Sequence, residues 1–149
     1  MKRIPTTPRP NWQKTVESQG FHFHTVEGEE GQPYWNESAY YQFTSREVDQ
    51  LEAATYELDK ICLQAVQHLM DHPEKLSQFN IPPDWIPHIQ ASWESDEITI
   101  YGRFDLAYDG MGEPKLLEYN ADTPTGLLEA AVVQWYWLKD QHPDADKFN

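Results

Sequence analysis

Ile98-Thr99-Ile100-Tyr101-Gly102-Arg103-Phe104-Asp105-Leu106-Ala107-Tyr108, the turn Asp109-Gly110-Met111-Gly112 and the run Lys115-Leu116-Leu117-Glu118-Tyr119-Asn120 decide how this chain folds. Both runs are β-branched or aromatic, and the glycine-bearing turn between them predicts an antiparallel hairpin with strands over 97–108 and 115–120. Side chains two apart on a strand share a face, so Arg103 points with Asp105, and Glu118 with Asn120. With 109–114 as the loop, Tyr108 pairs with Lys115 and paired positions sum to 108 + 115 = 223. Asp105 then stands opposite Glu118, and Arg103 opposite Asn120. Directly opposed like charges destabilise a sheet, so the two carboxylates call for a compensating cation. Mg²⁺ suits them, because it takes carboxylate and amide oxygens and keeps positions open for water and phosphate oxygens. Arg103 adds a planar fork for a phosphate or carboxylate. The segment Ala121-Asp122-Thr123-Pro124-Thr125-Gly126 leads into a helix whose free N–H groups suit a second anion. Together these features read as a site for phosphate chemistry. The plainer alternative is a solvated sheet face carrying an Arg–carboxylate pair.

Outward from the hairpin, the pattern becomes helical. Thr44 and Glu47 form a T-x-x-E capping box ahead of a helix over 45–71. Val48, Leu51, Thr55, Leu58, Cys62, Ala65 and Leu69 recur at spacings of three and four, and Ala54, Ile61, Val66 and Met70 widen the stripe to a core face. His72-Pro73 ends it, and Pro73, Pro82, Pro83 and Pro87 break the following segment into short helical turns. A second helix over 126–140 carries Leu127, Leu128, Ala131, Val132, Trp135, Trp137 and Leu138 on most of its sides, which predicts burial on more than one face. Upstream, residues 1–10 read as an extended arm with three prolines, and Asn11 as the cap of a helix over 12–19 ended by Gly20. Phe21–Val26 alternates with a strand's period, and Gly28, Gly31 and Pro33 make a turn. The expected fold is α/β, with a small sheet carrying the hairpin and the two long helices packed on it.

Composition narrows the function. The 149 residues hold 25 Asp and Glu against 11 Lys and Arg, a net charge of −14. Four of those basic residues (Lys2, Arg3, Arg9, Lys14) fall in the first 15 positions, so the remaining 134 hold seven. Such a body does not suit a nucleic acid or an anionic membrane surface, which recruit Lys and Arg stripes. It suits cationic ligands or divalent metals. An aromatic share of 13% supplies large side chains for a core, which argues for a folded domain. A single cysteine, Cys62, and the lack of an apolar span or signal-peptide core make the cytoplasm the expected compartment.

Several side chains have bland readings. His22 and His24 alternate on a strand without a third ligand nearby in sequence. His68 and His72 stand four apart without the H-E-x-x-H pattern, as cations at a helix C-terminus. Cys62 falls on the apolar stripe as a small core residue. Gly110-x-Gly112 lacks the helix of a dinucleotide loop.

Tyr101-Gly102-Arg103-Phe104-Asp105, with Lys115-Leu116-Leu117-Glu118-Tyr119-Asn120-Ala121-Asp122-Thr123-Pro124-Thr125 and the acidic Asp-Ala-Asp-x-Phe-Asn ending, resembles the glutathionylspermidine synthase family over residues 33–149. The resemblance implies an ATP-grasp C–N ligase, in which ATP phosphorylates a carboxylate that an amine then attacks. It implies ATP and Mg²⁺ as cofactors, with Arg103 and Asp105 at the ATP phosphates and Asp105, Glu118 and Asn120 as metal ligands. Arg103 is the implied catalytic residue, and Asp122 is implied on the substrate side. The implied substrates are a carboxylate such as glutathione and an amine such as a polyamine. The family's later Lys-bearing strands, further metal ligands and lid loop are not matched. The expected organisation is therefore an N-terminal arm, short helix and strand over 1–33, then a truncated pre-ATP-grasp-like part over 34–149. Such a chain is expected to be inactive alone, and to self-associate or to need the remaining ATP-grasp part. The rival reading is a non-catalytic module that binds a partner chain or a cationic ligand.

Overall fold

Proline at positions 5, 8 and 10 keeps the N-terminus out of a helix. In the computed structural model of the chain, which describes residues 1–26, 33–123 and 125–146, this segment enters a sheet instead. Lys2–Pro5 (β1) pairs antiparallel with Ala39–Gln42 (β2), from Lys2 opposite Gln42 to Pro5 opposite Ala39. The expected arm is thus extended but paired, and Pro5 sits at the strand's last position, where a missing N–H costs least.

The chain divides into two units, Met1–Val48 with Pro124–Asn149, and Asp49–Thr123. In the first, Trp12–Ser18 forms α1. Asn11 does not cap it as expected: its φ of 56° is left-handed, and its side chain makes no capping hydrogen bond. The C-terminal end behaves as the sequence suggests. Gly20, at φ 90°, donates its N–H to the Glu17 carbonyl at 3.0 Å, and the Phe21 N–H reaches the Val16 carbonyl at 3.0 Å. This double closure brings Val16 and Phe21 together, and both are buried in one cluster with Val133. Phe21–Val26 is not a strand. Among the described residues, Thr25 alone of this run bridges, to Pro33, and the expected turn at Gly28 and Gly31 lies outside them.

The helix expected over 126–140 starts as α-helix at residues 127–128, widens into a π turn, Glu129–Val133, and continues as Gln134–Gln141 (α4). Val133 and Trp137 are buried, but Leu127, Leu128, Trp135 and Tyr136 are exposed, so burial on several faces is not what the structure has. Arg9 and Glu37 are buried together in this unit, with Arg9 at 7% and Glu37 at 3% exposure. The Arg9 guanidinium donates to Glu37 Oε1 at 2.6 Å and to Asp140 Oδ2 at 2.6 Å, while the Trp35 indole N–H donates to Glu37 at 3.0 Å.

The capping box forms as expected at the start of α2, Ser45–Asp71. The Thr44 N–H donates to Glu47 Oε2 at 2.7 Å, and the Glu47 N–H to Thr44 Oγ1 at 3.3 Å. The other Glu47 oxygen takes the N-terminal ammonium of Met1. The α2 stripe is less buried than a core face: Leu51 is buried, Val48, Leu58, Cys62 and Leu69 are half-buried, and Thr55 and Ala65 are exposed. In the second unit, short turns over Pro73–Phe79 and Pro83–Trp85 precede the helix Ile86–Glu94 (α3), as the prolines predict. The Trp93 indole ties α3 to α2 through Gln67 at 2.8 Å.

The hairpin consists of Gly102–Ala107 (β3) and Lys115–Ala121 (β4). β3 starts later than expected, because Gly102 pairs with the last residue of β4 and the backbone turns left-handed at Asp122, φ 51°. Residues 98–101 thus have no ladder partner, and Ile98 and Ile100 are 90% and 91% exposed. β1–β2 and β3–β4 are separate two-stranded ladders, not one sheet, and the 126–140 helix belongs to the unit built on β1 and β2. The class remains α/β.

Candidate phosphate and metal site on the hairpin

The pairing of Asp105 with Glu118 and of Arg103 with Asn120 is present. It arises differently from the expectation. Ala107, not Tyr108, pairs with Lys115, so that end of the ladder sums to 222. A bulge then sets Leu106 opposite Leu116 and Asp105 opposite Glu118, which leaves Leu117 as the extra residue. From Asp105 outward the sum is 223. The loop is one residue longer than expected, and the bulge restores the register at the site.

Strand alternation sorts the hairpin into two faces. One carries Arg103, Asp105, Glu118 and Asn120. Arg103 Nε donates to Asp105 Oδ1 at 2.9 Å, and both side chains are partly exposed, at 37% and 41%. That hydrogen bond, followed by the charge of Asp105, makes the guanidinium hold its proton more tightly than a free arginine. Asn120 Nδ2 donates to Glu118 Oε1 at 2.9 Å, so its carbonyl oxygen is turned to act as an acceptor. Two carboxylates and an amide oxygen are a donor set that a hard cation takes. Among the described residues no group of three or more His, Cys, Asp and Glu side chains is arranged to hold a metal. The cluster therefore has two carboxylates and relies on Asn120 for its third oxygen.

The opposite face is aromatic. Phe104 and Tyr119 stack at 4.3 Å between ring centroids, 27° apart in plane. Burial, reinforced by Asp59, Cys62 and Asp122, pushes the Tyr119 hydroxyl above its usual value.

The turn is held from two sides. The Asp109 carboxylate accepts the Met111 and Gly112 N–H groups at 2.8 and 2.9 Å, bonds that favour its charged form and lower its pKa. From α2, Gln50 donates to the Gly112 carbonyl at 3.2 Å and accepts the Tyr108 hydroxyl at 3.0 Å. Asp122 lies just past β4, where its carboxylate accepts the Ile100 N–H at 3.3 Å. Four of the five expected site residues thus share one face, and Asp122 closes the open end of the hairpin. The supports Gln50, Asp109 and Gly102 were not singled out as functional, although an isolated glycine inside a strand is a signal of close approach.

The other candidates separate cleanly. His24 is held by Glu17 at 3.0 Å and Thr25 at 2.9 Å, and Trp12 meets its ring edge-on. Cys62 is half-buried on α2. Among the described residues no helix is long and apolar enough to cross a membrane.

Comparison with known proteins adds one family and several relatives. The family described as glutathionylspermidine synthase preATP-grasp matches residues 3–149, a span that reaches into the N-terminal segment. A Haemophilus influenzae protein carrying the name acid–amine ligase is 40% identical over 141 residues, 93% of this chain and 35% of that protein. The trypanothione synthetase of Crithidia fasciculata is 35% identical over 78 residues, 52% of this chain and 12% of its own. The bifunctional glutathionylspermidine synthetase/amidase of Escherichia coli is 32% identical over 101 residues, 67% of this chain and 16% of its own. The chain spans about a third or less of the length of each of these relatives.

Proposed function

This chain belongs to the glutathionylspermidine synthase preATP-grasp family, and from that premise we propose that it supplies the metal-bearing hairpin of an ATP- and Mg²⁺-dependent acid–amine ligase. The observation that carries the proposal is the gathering of Arg103, Asp105, Glu118 and Asn120 on one hairpin face, with carboxylate opposed to carboxylate. Asp105, Glu118 and the Asn120 amide oxygen would hold Mg²⁺, which when bound offsets the negative charge of nucleotide phosphates. Arg103 binds and orients a phosphoryl oxygen, and Asp105 keeps its fork aimed. Phosphoryl transfer depends mainly on positioning and charge, so no general base is needed from this hairpin. Asp122 is assigned to the substrate side. The substrates are a carboxylate of the glutathione class and an amine of the polyamine class, as the name of the Escherichia coli relative suggests. The hairpin is one wall of such a site, and the 149 residues alone do not turn over ATP.

Thermal unfolding tests the metal assignment. Millimolar Mg²⁺ should stabilise the chain by about 1–3 kcal/mol when present well above its dissociation constant. Asp105→Asn, which keeps the shape and removes the charge, should abolish most of that gain. An unfolding temperature indifferent to Mg²⁺ in the parent chain, or an undiminished gain in Asp105→Asn, overturns the assignment.

A further inference from the structure

The bulge that sets the register of the hairpin also decides which face one cation occupies. Along β3 the side chains alternate without interruption, so Arg103, Asp105 and Ala107 share one face, and Phe104 and Leu106 the other. Residues directly opposed in a ladder lie on the same face. Leu116, opposite Leu106, therefore joins the aromatic face, and Lys115, opposite Ala107, joins the face of the two carboxylates. A straight ladder with Tyr108 opposite Lys115 would do the reverse and put the lysine on the side of the rings. The extra residue, Leu117, is what moves it.

The face then carries three rows: Arg103 with Asn120, Asp105 with Glu118, and Ala107 with Lys115. The carboxylate row lies between two cation-bearing rows, each about 7 Å away, two residues of strand. Lys115 is exposed, and among the described residues it makes no ion pair. Asp109, held in its charged form first by the Gly112 and Met111 N–H groups, feels the Lys115 charge without pairing with it. Ala107, directly opposite, carries only a methyl group and does not compete for the ammonium. We propose that Lys115 is a phosphate-contacting residue of this face, binding an oxygen of the same polyphosphate that Arg103 contacts. Lysine suits the task as a point charge on a flexible stem, where arginine supplies a fixed fork. An extended polyanion matches a face with cations at both ends, whereas a single carboxylate reaches one end only. The assignment rests on the ligase reading of the hairpin and adds to it a second cation for the nucleotide.

Calorimetric titration of the 149-residue protein with Mg²⁺ alone, and with Mg²⁺ plus inorganic tripolyphosphate, tests this. Lys115→Met should weaken tripolyphosphate binding about fivefold, the effect of removing a unit charge about 4 Å away in water. Binding of Mg²⁺ alone should be no weaker, because the lost charge only repelled that cation. Lys115→Met with Leu116→Lys restores the net charge one residue along, on the opposite face, and should not recover the loss. Glutathione in place of tripolyphosphate should show no dependence on the lysine. Recovery in the double variant, unaltered tripolyphosphate binding in Lys115→Met, or an equal loss of Mg²⁺ and tripolyphosphate overturns the role of Lys115 and leaves the ligase reading standing. A loss confined to glutathione gives the lysine to the acid substrate and overturns the phosphate contact. Failure of the unaltered chain to bind tripolyphosphate with Mg²⁺ overturns the ligase reading itself, and Lys115 with it.

Discussion

A methyl group at Gly102 would place its carbon 2.7 Å from Tyr119 Cε2 and 2.8 Å from the Tyr119 hydroxyl oxygen. Tyr119 stacks on Phe104 but is 38% exposed, and the atoms met are the far end of its side chain, so the ring can swing aside at the expense of that stacking. Gly102→Ala should therefore lower the free energy of unfolding by about 0.5–1.5 kcal/mol, the scale of one displaced aromatic pair. Urea unfolding checks it, and pairing the change with Tyr119→Ala should recover part of the loss, because the two residues share one contact. Alternation along the strands made the polar quartet legible, since the side-chain period depends on nothing outside the strand. It said nothing of the ring lying over Gly102, which is set by packing between strands two residues out of direct opposition.

At the scale of elements, the hairpin was legible in kind and face but not in its loop. The bulge at Leu117 depends on cross-strand packing and twist, and no residue type in Lys115–Ala121 announces it. Asp109 is the element's acid-sensitive point. Its ordinary pKa lies near 3.8, and the bonds from Gly112 and Met111 lower it in the folded chain. A lowered carboxylate contributes stability above its unfolded pKa, and this is lost as pH falls through the folded value. The amide shifts of Met111 and Gly112 should titrate together with a midpoint below 3.8, and Asp109→Asn should remove the titration. In the other unit, three distant segments meet at Arg9, a residue that the sequence alone places in an extended arm. A contact between positions 9, 37 and 140 leaves no local periodicity to read. Burial opposes the Arg9 charge, but the bonds and charges of Glu37 and Asp140 outweigh it and hold the proton more firmly. Arg9→Ala strands the buried Glu37 carboxylate, and should cost about 3–5 kcal/mol of stability by chemical denaturation, with Arg9→Lys costing less.

Across the whole molecule, two features oppose each other. The net charge of −14 makes copies of the chain repel. Yet Ile98, Ile100 and Leu117 in one unit, and Leu127 and Tyr136 in the other, stand exposed, at 90%, 91%, 68%, 42% and 50%. The amphipathic pattern identified the helices and the apolar runs, but a sequence pattern states which side chains are apolar, not how many find cover. Self-association is then a contest between apolar burial and repulsion, and salt decides it. The screening length falls from about 30 Å at 0.01 M to about 3 Å at 1 M salt, so repulsion between copies fades while apolar attraction does not. Light scattering should report a monomer at low ionic strength and a rising mass as salt is added. Ile100→Lys with Leu117→Lys, which places charge on the exposed apolar run of the hairpin unit, should reduce that rise. A monomer at every salt concentration, or association that weakens with salt, would show that the exposed residues do not attract one another and that the acidic surface alone governs the molecule's encounters.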